Sequence, residues 1–324
     1  MTPRSAWIIG GAAALLGVGV AAGVTTHPGD DASSPVGTPS VSHTPRTPNA
    51  SATTSASVVP GRVSADPVVP ASPVARTSPA VVPATSAASD LTESYRRDLG
   101  DLAGRSGVAI APVGGSTTVQ LGRLRTDVAW STIKVPLAVA AAREEGWPAV
   151  SEHARRALTV SDNEAATALW TQLGGGPTAA AKVGAVLADA GDAATRVEPR
   201  VTRAGFTPFG QTRWSTAAQA TTMAHLRCRR EATPVLDLMR TVVPEQRWGL
   251  GRFDGAPIKG GWGPMPDGGY LVRQLGVIPT PGGEAAVSIA VRAPGGFQSG
   301  TSDLDRIARW LATHTRRLPG ARCG

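Results

Sequence analysis

The sequence predicts an α+β domain over residues 90–324: an antiparallel sheet flanked by N- and C-terminal helices, with an all-helical lobe inserted between its strands. Three observations predict it. Amphipathic helical spacing occurs near both ends of this region, and a strand–turn–strand pattern lies just inside each end. Between those patterns, from about residue 129 to 247, the chain is dominated by Ala and Leu.

The elements follow in chain order. Met-Thr-Pro-Arg precedes the uncharged run Trp7 to Val24, which fits the positive start and apolar middle of an export signal. Its 18 residues also reach the lower limit for a bilayer span, so residues 1–26 are expected to be a cleaved signal peptide or a single transmembrane anchor. Either way the protein is expected to be secreted or membrane-anchored on the extracytoplasmic side, touching the membrane only through this segment. The only cysteines are Cys228 and Cys323, which excludes a lipid anchor on an N-terminal cysteine. Residues 27–89 are mostly Pro, Ser, Thr, Ala and Val and read as a disordered tether with a mean span on the order of 45 Å.

From residue 90, Leu91, Tyr95, Leu99 and Leu102 share one helical face, as do Leu304, Ile307, Ala308 and Leu311 near the C-terminus. These two helices are expected to flank one sheet. Residues 107–113 and 117–124 form the first hairpin pattern, around Gly114-Gly115-Ser116. Residues 268–278 and 284–293 form the second, with Val287, Ile289 and Val291 alternating against Ser288, Ala290 and Arg292. The helical block between the hairpins contains one long irregular stretch around 195–215.

Composition excludes several function classes. The net charge is +8 with a pI near 10.6, yet the 29 arginines are scattered and form no basic run interleaved with aromatics, so nucleic acid is not expected as a partner. There is no Gly-x-Ser-x-Gly, His-Glu-x-x-His or Cys-x-x-Cys, and the five histidines have no helpful context, so neither metal nor other cofactor is expected. Two cysteines in an exported chain have two options. A Cys228–Cys323 bridge would close a loop of about 95 residues, worth roughly 4 to 5 kcal/mol; two buried thiols are the alternative.

Three short motifs carry chemistry. In Ala-Trp-Ser131-Thr-Ile-Lys134-Val-Pro, the three-residue spacing puts Ser131 and Lys134 on one helical face, with Pro136 tolerated in the first turn. A serine hydroxyl needs a nearby base to become a nucleophile, and a helix N-terminus supplies N–H groups for a developing oxyanion. Alone, this serine reads equally as a helix cap. The chain has only three lysines, at 134, 182 and 259, against 29 arginines, and arginine cannot be deprotonated in a protein. Lysine is therefore expected where the chemistry needs it, with Lys182 as a solvated surface residue. The second motif is Ser161-Asp162-Asn163-Glu164, which by itself reads as a capping box. The third is Lys259-Gly260-Gly261-Trp262, where an extended run meets glycines that allow close backbone approach.

In this order the three motifs match the Ser-x-x-Lys, Ser-Asp-Asn and Lys-Thr-Gly set of β-lactamases and penicillin-binding proteins. The sequence resembles the class A β-lactamase family over about residues 90 to 320, including Arg196-Val-Glu198-Pro199, which looks like the family's Arg-x-Glu-Pro loop. The resemblance implies a β-lactamase/transpeptidase-like fold with about five strands. It implies Ser131 as nucleophile, Lys134 as base or proton relay, Ser161 as proton shuttle and Glu198 as the residue activating the deacylating water. Asn163 would contact the substrate amide, Lys259 would serve Ser161 and a substrate carboxylate, and the N–H groups of Ser131 and Trp262, with Gly261 before it, would line the oxyanion hole. The implied partner is a small β-lactam or a peptidoglycan-type peptide, bound by a monomer without cofactor. The alternatives are a D,D-peptidase or transpeptidase, and a non-catalytic binding or sensor domain.

Three positions depart from the family. Gly260 replaces a hydroxyl residue, Thr202 stands where the family has Asn, and Ser131 and Ser161 are only 30 residues apart, about half the family's spacing. The helical lobe is therefore expected to be short and the cleft open, with acylation better supported than deacylation. For Lys134 to act as a base near neutral pH, its pKa must fall by about 3 from ~10.4, roughly 4 kcal/mol of differential interaction.

Overall fold

The computed structural model describes residues 84–115 and 119–324. The apolar segment Trp7 to Val24 and most of the tether lie outside the described residues. In chain order the elements are α1 (Ala84–Leu99), α2 (Asp101–Arg105), β1 (Ser106–Pro112), β2 (Val119–Gly122), β3 (Thr126–Val128), α3 (Lys134–Glu145), α4 (Trp147–Thr159), α5 (Asn163–Gln172), α6 (Gly176–Asp189), β4 (Arg213–Ser215), α7 (Thr216–Leu226), α8 (Thr233–Arg240), β5 (Ile258–Pro264), β6 (Tyr270–Thr280), β7 (Gly283–Ala293) and α9 (Gly296–His314). The fold class is as expected: a five-stranded antiparallel sheet of order β2-β1-β7-β6-β5, with helices on both faces.

Two details differ from the expectation. The first helix begins at Ala84 rather than at residue 90, so the last six residues of the tether segment are helical. Ala84, Ala87 and Ala88 are strong helix formers, and a helix already docked through buried Leu91 and Tyr95 propagates back through them. The helix expected over 90–104 is in fact two, because Gly100 between α1 and α2 has φ 52°, a left-handed conformation that interrupts the helical ladder.

Both hairpins form. The alternation in β7 does not separate core from solvent, however, since Ser288 and Ala290 are as buried as Val287 and Ile289. Each face of the sheet is covered: α7 packs against β1, β6 and β7 on one side, while α9 covers β6 and β7 on the other. One core cluster joins the helical lobe to the first face, and a second joins α1 and α9 to the other. Cys228, just after α7, is bonded to Cys323, with Cα atoms 5.3 Å apart. The tail is also held by Glu284 and Ala321, which exchange backbone hydrogen bonds of 2.7 and 3.1 Å. Among the described residues no helix is long and apolar enough to cross a membrane.

Three segments meet where the helical lobe faces the edge of the sheet. These are the turn between β3 and α3, the α4–α5 connection, and edge strand β5.

Candidate active site

Ser131 lies in a single 3-10 turn, Trp130–Ile133, immediately before α3, and its side chain caps no helix. The cap reading of this serine therefore fails, and its partly buried hydroxyl has no hydrogen-bond partner among the described residues. Trp130, just before it, has φ 48°, which strains a bulky residue by roughly 1–3 kcal/mol. The turn is held from beneath by buried polar groups. Ser288 Oγ of β7 donates to Gln219 Oε1 of α7 at 2.7 Å, and Gln219 Nε2 donates to Thr132 Oγ1 at 2.9 Å. Thr132 Oγ1 in turn donates to Ala129 O at 2.5 Å. Sequence reasoning missed this chain, and polar residues scattered through Ala-rich helices and strands gave no signal for it.

Lys134 follows one turn later and is 1 % exposed. Its ammonium donates to Ser161 O at 2.6 Å, Asp162 O at 3.1 Å and Asn163 Oδ1 at 2.8 Å, which uses all three N–H bonds. Burial pulls its pKa down to about 7, and the Asp162 charge offsets only part of that shift.

The capping-box reading of the second motif also needs correction. The cap of α5 is Asp162, whose Oδ1 accepts from Ala165 N at 3.0 Å; Ser161 precedes it with φ 61°. Burial alone would raise the Asp162 carboxyl, but hydrogen bonds from Ala165 N and Arg156 outweigh it and leave its pKa below the ordinary value. Ser161 is thus free for the cleft and touches both lysines, its carbonyl accepting from Lys134 and its hydroxyl from Lys259 at 2.8 Å.

Lys259 in β5 is fully buried, and its second hydrogen bond goes to Gly260 O at 2.8 Å. Burial, aided by the charge of Lys134, holds its pKa well below the lysine value. Beyond it, the glycines let β5 lie directly on the serine turn. A Cβ built on Gly261 would stand 2.8 Å from Ser131 N and 3.0 Å from Ala129 O, and one on Gly263 would enter the Trp130 ring at 2.7 Å. Trp262 sits between these two contacts and is partly exposed.

Glu198 is not hydrogen-bonded to this group. Its carboxylate accepts from Arg200 N at 3.1 Å and shares no hydrogen bond with Lys134. With Thr202, whose hydroxyl donates to Gln211 Oε1 at 2.7 Å, it lines a cavity of about 320 Å³ on the Trp130 side of the turn. Lys182 forms a surface ion pair with Glu144 at 2.8 Å, as its solvated reading requires. Trp130, Trp170, Trp214 and Trp248 are buried.

Sheet, helical lobe and the order of the three motifs together define a β-lactamase/transpeptidase-like fold. Among solved structures, the chain is similar to the TLA-3 extended-spectrum β-lactamase (14% identity, TM-score 0.55, covering 69% of this chain and 99% of that one). It is also similar to a β-lactamase from Sphaerobacter thermophilus (19%, 0.54, 71% and 98%) and to the ancestral class A β-lactamase GNCA (19%, 0.52, 69% and 99%). No family model and no curated protein matches the chain. At these identities the likeness establishes the fold, and the chemistry rests on the residues.

Proposed function

We propose that the protein is a serine acyl-hydrolase that forms an acyl-enzyme on Ser131, with β-lactam-like or cell-wall peptide amides as the acyl donors to test first. One observation carries this reading. Motifs from three parts of the chain converge so that Ser161 is hydrogen-bonded to both Lys134 and Lys259, while Gly261 lies against Ser131 N. Surface capping and turn residues have no reason to bury two lysines side by side, since each desolvated ammonium costs several kcal/mol.

In this mechanism Lys134, neutral in about half the molecules near pH 7, takes the Ser131 proton as Oγ attacks the carbonyl carbon. The N–H groups of Ser131 and Trp262 receive the developing oxyanion. Ser161, oriented by Lys259, passes a proton to the leaving nitrogen as the C–N bond breaks, and Asn163 fixes both Lys134 and the substrate amide. Water then releases the acyl group. Work outside the cytoplasm belongs to the same reading and is supported by the Cys228–Cys323 bridge.

A second reading, a D,D-peptidase or transpeptidase with a long-lived acyl-enzyme, is favoured by the lack of a hydrogen bond between Glu198 and Lys134 and by the pairing of Thr202 with Gln211. One experiment separates the two. Purified protein is incubated with a chromogenic cephalosporin and a penicillin, following turnover and intact mass, with Ser131→Ala as control. Turnover lost in the variant supports β-lactamase activity, and a lasting adduct on Ser131 without turnover supports the second reading. An unmodified protein with every acylating probe rules out both.

A further inference from the structure

The edge of β5 beside Lys259 is aromatic where a hydroxyl would be expected. A Cβ built on Gly260 meets the Trp248 ring at 2.7 and 2.9 Å and the Trp262 ring at 3.4 Å, so a Ser or Thr side chain is sterically excluded while Trp248 holds its place. Trp248 and Trp262 meet edge to face with centroids 6.0 Å apart. Phe297, at the start of α9, closes the group at 5.2 Å from Trp262 and 6.2 Å from Trp248. Trp248 is buried at the back of this wall, while Trp262 and Phe297 are partly exposed.

The charges at this edge complete the case. Lys259 is fully buried and its hydrogen bonds go to Ser161 Oγ and Gly260 O, so it presents no exposed ammonium to pair with an incoming anion. Indole faces are negative and do not replace the missing hydroxyl donor for a carboxylate. A cationic group would meet the field of two lysines. A flat neutral group loses far less on desolvation than an ion and gains aromatic contact.

We propose that the acyl donor of Ser131 carries a neutral aromatic or apolar group, rather than a carboxylate, on the leaving side of the scissile bond, seated against Trp262 and Phe297. The chemical step rests on the acyl-hydrolase reading, whereas the recognition can be read without turnover. For an aryl ester, the Ser131 Oγ–acyl bond forms and the acyl–oxygen bond to the aryl group breaks. The serine proton goes to Lys134, which returns it through Ser161 to the aryloxide, and water then frees the acid.

The test compares two phenylacetylglycyl esters on the full-length protein, one of meta-hydroxybenzoate and one of its neutral methyl ester. The neutral ester is expected to have a kcat/KM about 10-fold higher, and Trp262→Ala to remove most of that preference through KM. A Gly260→Thr/Trp248→Ala double variant is expected to shift the preference towards the anion. In parallel, the matching anilides are titrated into Ser131→Ala by tryptophan fluorescence, with the neutral one expected to bind about 10-fold tighter. Equal or better performance of the anionic member in either assay overturns the proposal, as does binding of neither anilide or a preference that survives Trp262→Ala. A neutral binding preference without any acyl-enzyme sustains the recognition and overturns the acyl-hydrolase reading instead.

Discussion

Lys134 joins two properties that rarely coincide: three acceptors that hold it as an ammonium, and burial that brings its pKa to about 7. Only the neutral amine accepts the serine proton, so the acylation rate should rise about 10-fold per pH unit below 7 and level off above it. Measuring the adduct on Ser131 from pH 5 to 9 checks this. A rate independent of pH, or one falling as pH rises, removes Lys134 as the base. Lys134→Arg should slow acylation by about 100-fold or more, because guanidinium stays protonated. The scarcity of lysine made this residue legible in the sequence. Ser161 was harder to read, since its spacing to Glu164 imitates a capping box, and only the structure transfers the cap to Asp162 and releases the hydroxyl to Lys259. Glu198 was named from its loop motif, and the hydrogen bond its carboxylate accepts from Arg200 N is a contact the motif does not encode.

At the scale of elements, the site depends on an unpaired serine hydroxyl held on a strained turn. Trp130 at φ 48° and Ser161 at φ 61° are the two non-glycine residues in the left-handed region among those described, one in the turn before α3 and the other just before α5. Strain of this kind persists only when neighbours over-determine it, and here β7 and α7 do so through Ser288, Gln219 and Thr132. Gln219→Ala would leave Ser288 Oγ without its acceptor and Thr132 Oγ1 without its donor, the Thr132 bond to Ala129 O remaining. A loss of about 2–4 kcal/mol in urea unfolding is expected, with acylation at 25 °C slowed in the folded fraction. Gln219→Glu retains the acceptor for Ser288, but a carboxylate at this fully buried position pays its own desolvation, so it should be no more stable than Gln219→Ala. If both variants unfold and acylate like the parent, the turn is positioned by packing alone. Strands and amphipathic helices were legible because period and turn residues are local. The Gly100 break and the supporting polar chain were not, because one depends on a single dihedral angle and the other on hydrogen-bonded pairs 69 and 87 positions apart.

For the whole molecule, the order of strands, helical block and strands brings the two chain ends of the domain to one sheet, with α1 beside β2 and α9 across β6 and β7. The C-terminal tail would be free to fray without a tie. The Cys228–Cys323 bond closes a loop of 95 residues and anchors that tail next to α7, the helix that carries Gln219. On the chain-entropy model such a loop stabilises by about 4–5 kcal/mol, and for a domain of this size each kcal/mol moves Tm by about 2–4 °C. The Cys228→Ser/Cys323→Ser pair should therefore melt about 10–15 °C lower. It should still acylate Ser131 at 25 °C, since neither cysteine touches the three motifs. The same variant discriminates between a tie acting on the unfolded chain and one that shapes the cleft. A lowered Tm with unchanged acylation and an unchanged pH midpoint near 7 places the effect in the unfolded state, whereas a shifted midpoint would mean that the tail is transmitted through α7 to the burial of Lys134.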